Sequence, residues 1–509
     1  MARTAGMPAL SPPGPDRSVA ARPLARLLGS WRRPGPAYAA LADALRLLVL
    51  DGRLPLAVRL PGERELAAAL GLSRTTVTAA YGRLRDQGYA VSRQGSGTRT
   101  RLPAAAEGRP GAAEPAMVLG EDAGPGVIDL AYAAPRAPEG ALYAAVAAAV
   151  EELPRYLPGH GYEPRGLPVL RAAIAERYTA RGLPTRPGQV LVTNGAQHAL
   201  ALLLLLLTGP GDRVLVEHPT YPNALEAVRR AGGRPVPVGL PDEGWDVEAL
   251  EAAARQTGPR LAYLIADFQN PTGRLMDAAT REQVAGLARR AGVPVVVDET
   301  LAELSLDDAT GPAPVPAFGP ARGGRDDGRV LAVGSASKVF WGGLRIGWLR
   351  APEELVDRLV AARPGLDLGT PVLEQIVLAR LLADVVPVTA TRRTRLRAQR
   401  DTLAGALAEA LPTWRFDPPP GGLALWVHLD APVSSALAAV AGRHGLRLAA
   451  GPRFGVDGAF ERFLRVPYTG PAEDLRDAAT RLASAYAEVR GGGRRRARRA
   501  DEGDATVVA

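Results

Sequence analysis

Cysteine is absent from this 509-residue sequence, which excludes disulfides, thiolate nucleophiles and cysteine-ligated zinc together. Long apolar runs are missing too. The longest, Ala199 to Leu207, is about half of what a membrane-spanning helix needs and reads as a buried helix. The N-terminus is rich in Pro, Ala and Arg but has no continuous apolar segment, so no export signal and no membrane partner are expected, and a cytoplasmic protein is. The five histidines (His160, His198, His218, His428 and His444) show no ligand-like spacing, so no metal site is expected. Lysine is the most telling shortage. All but one of the 62 basic residues are arginine, and the exception is Lys338. Where guanidinium serves everywhere else, a lone primary amine marks a position whose nitrogen has to lose its proton.

The length predicts two or more domains, and the apolar content of 47% is ordinary for globular protein. The net charge of +9 is unevenly spread. Residues 1–110 hold 17 arginines against 7 acidic residues, a balance of +10, and the other 399 residues sum to −1. That is the footprint of a polyanion-binding module, although a solvated basic tail would give the same charge. Residues 1–36 are expected to be disordered, apart from a possible short helix from Leu24 to Trp31. Residues 103–126, rich in Ala, Pro, Gly and Glu without periodicity, read as a linker. From 127 to 488 apolar strand-like runs alternate with long Ala/Leu helices, the signature of an α/β domain with a mainly parallel sheet. Residues 489–509, with Gly491-Gly-Gly-Arg-Arg-Arg and a following acidic stretch, are expected to be a disordered tail.

Between 37 and 102 the pattern predicts three helices and a hairpin. Leu41, Ala42, Leu45, Leu48 and Val49 share one helical face. Arg64 to Leu70 forms a second helix, broken by Gly71, and Ser73 caps a third that continues through Val77, Tyr81 and Leu84. Two short strands follow, Tyr89 to Arg93 and Thr98 to Leu102, joined by a Gly-rich turn ending at Gly97. This is a winged helix-turn-helix. Ser73, Arg74, Thr75 and Thr76 at the start of the third helix suit base edges and phosphates in the major groove of double-stranded operator DNA. Arg64 can reach a phosphate, and the wing tip at Gly97 allows close backbone approach. A small helical bundle with surface arginines is the plainer alternative.

Lys338 follows a strand, Arg329 to Val333, and the segment Gly334-Ser335-Ala336-Ser337; Gly343-Leu-Arg345 comes after it. An amine at a strand end, with hydroxyls before it and a fixed cation after it, suits a Schiff base beside a phosphate held by Ser335, Ser337 and Arg345. Val295 to Asp298 ends in a carboxylate that can keep the ring nitrogen of pyridoxal 5'-phosphate protonated. Asn270, in Asn270-Pro-Thr-Gly273, can donate to the ring's phenolic oxygen. Gly195, Ala196 and Gln197 open the Leu-rich helix and leave backbone N–H groups free for phosphate. Tyr221 offers an aromatic face to the ring. Taken singly, a strand-terminal Asp is commonly a helix cap and Asn-Pro-Thr-Gly a common turn. Together, around the only lysine, they make a cofactor site.

These residues carry two resemblances. Leu60-Pro-Gly-Glu-Arg-Glu-Leu-Ala67, Leu72-Ser-Arg-Thr-Thr-Val77, Ala80-Tyr81 and Gly95-Ser-Gly-Thr98 resemble the GntR-type winged helix. Gly62 stands where that family usually has a capping Ser, a change costing about a few tenths of a kcal/mol. Residues 127–488 resemble the type I pyridoxal-phosphate aminotransferase-like fold. That resemblance implies Tyr162 as a tyrosine reaching the phosphate across a dimer interface and Arg465 as the group binding a substrate or effector carboxylate. One departure concerns chemistry: Asp298 is followed by Glu299-Thr300-Leu301, where the family usually has a tyrosine bonding the phenolic oxygen. The combination is similar to the MocR/GabR-like subfamily of GntR regulators, which implies a homodimer. Three readings stay open: a regulator whose DNA affinity responds to pyridoxal phosphate or its adduct with an amino compound, a working aminotransferase with an accessory DNA-binding domain, and a DNA-binding protein with a vestigial cofactor site. The intact DNA-reading and cofactor sets favour the first, and the missing tyrosine argues against efficient turnover.

Overall fold

The structure is a computed structural model that describes residues 18–29, 31–32, 36–50, 54, 58–93, 97–100, 124, 126–307, 318, 328–456 and 458–503. It forms two compact units, Met1–Gly120 with Asp457–Phe460, and Glu121–Val456 with Glu461–Ala509. Among the described residues no helix is long and apolar enough to cross a membrane.

In the first unit the helix Ala37–Leu50 buries the face predicted for it, Leu41, Ala42, Leu45, Leu48 and Val49. Glu63–Leu70 ends at Gly71, whose φ of 63° is the left-handed conformation that lets the chain turn without a side-chain clash. Ser73 then caps Arg74–Asp86, its hydroxyl accepting from Thr76 N–H at 3.1 Å, and that helix buries Val77, Ala80, Tyr81 and Leu84. Tyr81 donates its hydroxyl to the Pro61 carbonyl at 3.0 Å and so fastens the loop entering the second helix to the third. The wing is the antiparallel pair Ala90–Arg93 and Gly97–Thr100, extended by the segment around Arg59. The turn residues 94–96 and most of the expected linker, 103–123 and 125, lie outside the described residues.

The short helix expected within the first 36 residues, at Leu24 to Trp31, lies slightly earlier, and residues 1–17, 30 and 33–35 of that segment lie outside the described residues. Ala21–Leu28 is a helix, Ser18 pairs with Arg59, and Leu24, Leu28 and Trp31 join the core of this unit. Composition averages over a segment, whereas folding depends on whether its few large apolar residues share a face. Here Leu24 and Leu28 are one helical turn apart.

The second unit is built on a seven-stranded sheet in the order Val190–Thr193, Gly347–Arg350, Val330–Ser335, Val295–Asp298, Leu261–Leu264, Arg213–His218, Arg234–Gly239. Every pairing is parallel except the two made by Gly347–Arg350. Helices cover both faces, so the central strands are buried on both sides and read as continuous apolar runs rather than alternating ones. A four-stranded sheet (Ala424–His428, Phe463–Pro467, Leu446–Ala450, Ile128–Leu130) packs with the long helix Val385–Ala410 and the last helix into a separate core. The last helix, Ala472–Gly503, runs into the segment from 489 expected to be a disordered tail, of which residues 504–509 lie outside the described residues. Ala and Arg are strong helix formers, and elongating a helix that tertiary packing has already nucleated is far easier than starting one.

Candidate functional site

In a parallel sheet the carboxyl ends of the strands lie at one edge, and the loops leaving that edge bring distant residues together. Lys338 sits on the short helix Ala336–Val339 directly after the strand Val330–Ser335, and its Nζ donates to the Ala133 carbonyl at 2.7 Å. Burial pushes this amine down to about 8, helped by the cations Arg465 and Arg345 and opposed by Asp298. Asp298 ends the adjacent strand and is 6% exposed. Burial pushes its carboxyl up, opposed by donors from Tyr263 and Thr300 and by the Lys338 charge. Arg465 is buried on Phe463–Pro467, with its guanidinium 4.9 Å above the Phe454 ring. It donates to the Ala131 carbonyl and, at 3.3 Å, to Asn270 Oδ1. That leaves the Asn270 amide nitrogen as the donor. Tyr221 has its hydroxyl raised by burial and then by Asp298, with Arg465 and Arg345 opposing. Lys338, Asp298, Asn270, Arg465, Tyr221 and Arg345 therefore share one electrostatic neighbourhood.

The other end of the site brings Arg345 to the start of a helix. Gly195 begins the helix Ala196–Leu207 at φ 86°, and a Cβ placed on it would lie 2.6 Å from Arg345 Nη2. Only glycine allows that approach. The first N–H groups of this helix, beginning with Ala196 and Gln197, have no acceptor within the helix. The Gln197 amide nitrogen is used on the Asn223 carbonyl at 3.0 Å. Ser335 is turned inward: its hydroxyl accepts from Ser337 N–H at 3.1 Å and bonds Ser337 Oγ at 3.0 Å and the Ile346 carbonyl at 3.3 Å. It positions Ser337, whose hydroxyl is the less buried of the two. Tyr162 is 58% exposed, with its backbone N–H on His160 Nδ1 at 3.0 Å.

Sequence reasoning missed three contributors. Tyr263 donates to Asp298 Oδ2 at 2.6 Å. Asn223 donates to the Tyr221 hydroxyl at 2.9 Å. Glu217, fully buried, accepts from Trp245 Nε1 at 2.5 Å, Ile265 N–H at 3.1 Å and Gln269 Nε2 at 3.0 Å, although burial pushes its carboxyl up to about 8. Gln269 also donates to the Pro219 carbonyl, so Glu217 fastens the loop bearing Asn270 to the one bearing Tyr221. The signal for two of these was a polar residue inside an apolar strand, Leu261-Ala-Tyr263-Leu264 and Val214-Leu-Val-Glu217, since buried polar groups require partners. Leu301, where a phenol was missed, is buried with Phe268 and Leu304.

In the first unit the candidate DNA-reading residues stand together at the start of Arg74–Asp86. Ser73, Arg74 and Thr75 are exposed, as are Arg64 and Gly97. Ser73 Oγ lies 2.8 Å from the hydroxyls of both Thr75 and Thr76, and Arg74 pairs with Glu63 at 3.4 Å.

Residues 125–482 match the aminotransferase class I and II family. The chain belongs to that family. Residues 37–99 match the bacterial regulatory proteins of the gntR family, so this is a GntR-type regulator fused to an aminotransferase domain, the architecture of MocR-like regulators, and its first domain implies DNA binding. Among curated proteins it is similar to 2-aminoadipate transaminase of Thermus thermophilus, 34% identical over 335 residues, covering 65% of this chain and 81% of that protein. It is also similar to the probable rhizopine catabolism regulatory protein MocR of Rhizobium meliloti, 31% identical over 390 residues, covering 73% and 77%. The uncharacterized HTH-type transcriptional regulator YdcR of Escherichia coli is 29% identical over 460 residues, covering 84% and 94%. Among solved structures, the α-aminoadipate aminotransferase LysN of Thermus thermophilus aligns with a TM-score of 0.66 at 30% identity, covering 72% of this chain and 94% of that one.

Membership of the aminotransferase family implies pyridoxal phosphate as the cofactor. The donors present fit that group. Arg465 Nε is buried with no hydrogen-bond partner, and the Gly195–Arg345 approach forms a cationic hollow at a helix N-terminus. Lys338 is an amine that burial brings close to neutrality, which is what covalent attachment needs.

Proposed function

We propose that this protein is a transcriptional regulator whose operator binding responds to pyridoxal phosphate or to an amino compound that displaces Lys338 from it. The observation that carries this reading is an intact cofactor set in a chain that also carries a GntR-type DNA-binding domain. Pyridoxal phosphate, when bound, supplies an electrophilic carbonyl on which primary amines exchange. Lys338 is the protein's own amine for that carbonyl. Asp298 holds the proton on the ring nitrogen, Asn270 donates to the phenolic oxygen, and Tyr221 covers the ring. Gly195, Ala196, Gln197, Ser337 and Arg345 bind the phosphate, with Ser335 fixing Ser337 and Tyr162 contributing from the partner of a homodimer. Arg465, which burial pushes down to about 10 and which stays charged near neutrality, selects an effector with a carboxylate. Arg64, Ser73, Arg74, Thr75, Thr76 and Gly97 contact the operator.

A second reading, a working aminotransferase with an accessory DNA-binding domain, is favoured by the similarity to 2-aminoadipate transaminase. One experiment separates the two. Amino acids are screened for a change in the absorbance of the bound cofactor, and operator affinity is measured with each hit in wild type and in Arg465→Ala. The regulator reading expects hits that change operator affinity in wild type and do so far less in the variant. Hits that turn over rapidly with a keto acid and leave DNA affinity untouched would establish the enzyme reading instead.

A further inference from the structure

Asp298 has a partner outside its own strand and loop. Tyr263 lies on the neighbouring parallel strand, in register with Val296. Asp298 is two residues beyond Val296 and so projects from the same face of the sheet. The Tyr263 side chain spans that step and donates its hydroxyl to Asp298 Oδ2 at 2.6 Å, while Thr300 N–H donates to Oδ1 at 2.9 Å. Both side chains are buried, Tyr263 almost completely. Among the described residues the Tyr263 hydroxyl is given to the Asp298 carboxylate, and a carboxylate in an apolar strand layer needs donors to remain ionised.

We propose that Tyr263 is a positioning residue for the ring-nitrogen end of the cofactor site: its hydrogen bond keeps Asp298 ionised and thereby keeps the shared proton on the ring nitrogen rather than on the carboxylate. This rests on the reading that pyridoxal phosphate binds with its ring nitrogen at Asp298. Burial alone favours the neutral acid at Asp298. A strong donor to Oδ2 favours the anion, and the more firmly the carboxylate is held ionised, the less it competes for the proton of the ring nitrogen. Burial and the Asp298 charge also raise the Tyr263 hydroxyl well above its ordinary value, so the phenol is a donor throughout the neutral range and never takes the proton itself. The other titratable or charged groups that act on this carboxylate or share its surroundings are Lys338, Tyr221, Glu217, Arg465 and Arg345. Leu301 stands where the resemblance expects a tyrosine, whereas Tyr263 places a phenol on the Asp298 carboxylate.

The test reads the proton directly. Full-length protein is reconstituted with pyridoxal phosphate labelled with ¹⁵N at the ring nitrogen, and its nuclear magnetic resonance shift is measured across neutral pH. Wild type is expected to show a protonated ring nitrogen. Tyr263→Phe, which keeps the ring and loses the hydroxyl, is expected to move the signal towards neutral pyridine and to weaken cofactor retention roughly tenfold, the size of one hydrogen bond to a charged group. Thr300→Val removes the second side-chain donor to Asp298 and is expected to move the signal the same way, which keeps the test decisive should Tyr263→Phe not fold. An unchanged shift in folded, cofactor-loaded variants overturns the inference. Wild type that takes up no cofactor, or shows a neutral ring nitrogen, overturns instead the reading on which it rests.

Discussion

Burial acts in opposite directions on the amine and the carboxyls of this site, and the neighbours decide how far each moves. Lys338 is pushed down to about 8 by loss of water and by the cations Arg465 and Arg345, and Asp298 alone restrains it. The neutral amine is the nucleophile, so capture of pyridoxal phosphate by cofactor-free protein should accelerate as pH rises through about 8 and level off above it. Rapid-mixing absorbance measures this directly, and a rate still climbing near the ordinary lysine value of about 10.5 would show that the site does not tune the amine. Borohydride reduction followed by peptide mass spectrometry should then find the pyridoxyl group on Lys338, with no covalent product in Lys338→Ala. Labelling confined to the N-terminal amine would remove the cofactor site from this region altogether.

At the scale of elements, the helix N-termini of the candidate cofactor site and of the candidate DNA-reading helix are prepared differently. Ala196–Leu207 begins at a glycine with no capping side chain, which leaves its first N–H groups for an anion. Arg74–Asp86 begins at Ser73, whose hydroxyl already satisfies Thr76 N–H, so this helix presents side chains rather than bare backbone. Arg64→Ala and Arg74→Ala should each weaken operator binding and leave the cofactor absorbance unchanged. If each arginine contacts one phosphate, each loss lowers the slope of log K against log salt by about one unit. Titrations at several salt concentrations provide the measurement, and unchanged affinity in both variants would misplace the recognition helix. Arg74 also pairs with Glu63, so its variant tests whether that exposed pair yields its arginine to DNA; an exposed ion pair is worth only about 0–1 kcal/mol and gives way readily.

On the scale of the whole molecule, regulation requires that an effector favour one arrangement of the protein over another. A coupling of about 1–3 kcal/mol would change operator affinity roughly 5- to 150-fold. The homodimer proposed above would be the natural carrier of such a change. The helix Glu139–Glu152 leaves Tyr143 (80% exposed), Val146 and Val150 open to solvent at three- and four-residue spacing, and Leu157 and Tyr162 follow, also exposed. Exposed apolar residues at helical spacing mark a surface meant to be covered. Tyr143→Glu should therefore shift sedimentation towards monomer and, by withdrawing the partner's tyrosine from the phosphate, weaken cofactor retention. A variant that stays dimeric, or a monomer that holds the cofactor as tightly as wild type, would count against Tyr162 acting across an interface.

The sequence alone determined what depends on local chemistry. The lone lysine after a strand, the carboxylate closing Val295–Asp298, the Ser73 cap and the face from Leu41 to Val49 were all legible, because residue type and short-range spacing dictate them. The tertiary structure decided what depends on residues far apart in the chain. It put Tyr263 on Asp298, Glu217 between two loops, and Arg465 on Asn270 across 195 residues. It also packed Leu24 and Leu28 into a core and carried the last helix to Gly503. Composition does not encode those outcomes. A buried polar atom finds its partner, and a sparse apolar face its shelter, only once the sheet has brought distant segments side by side.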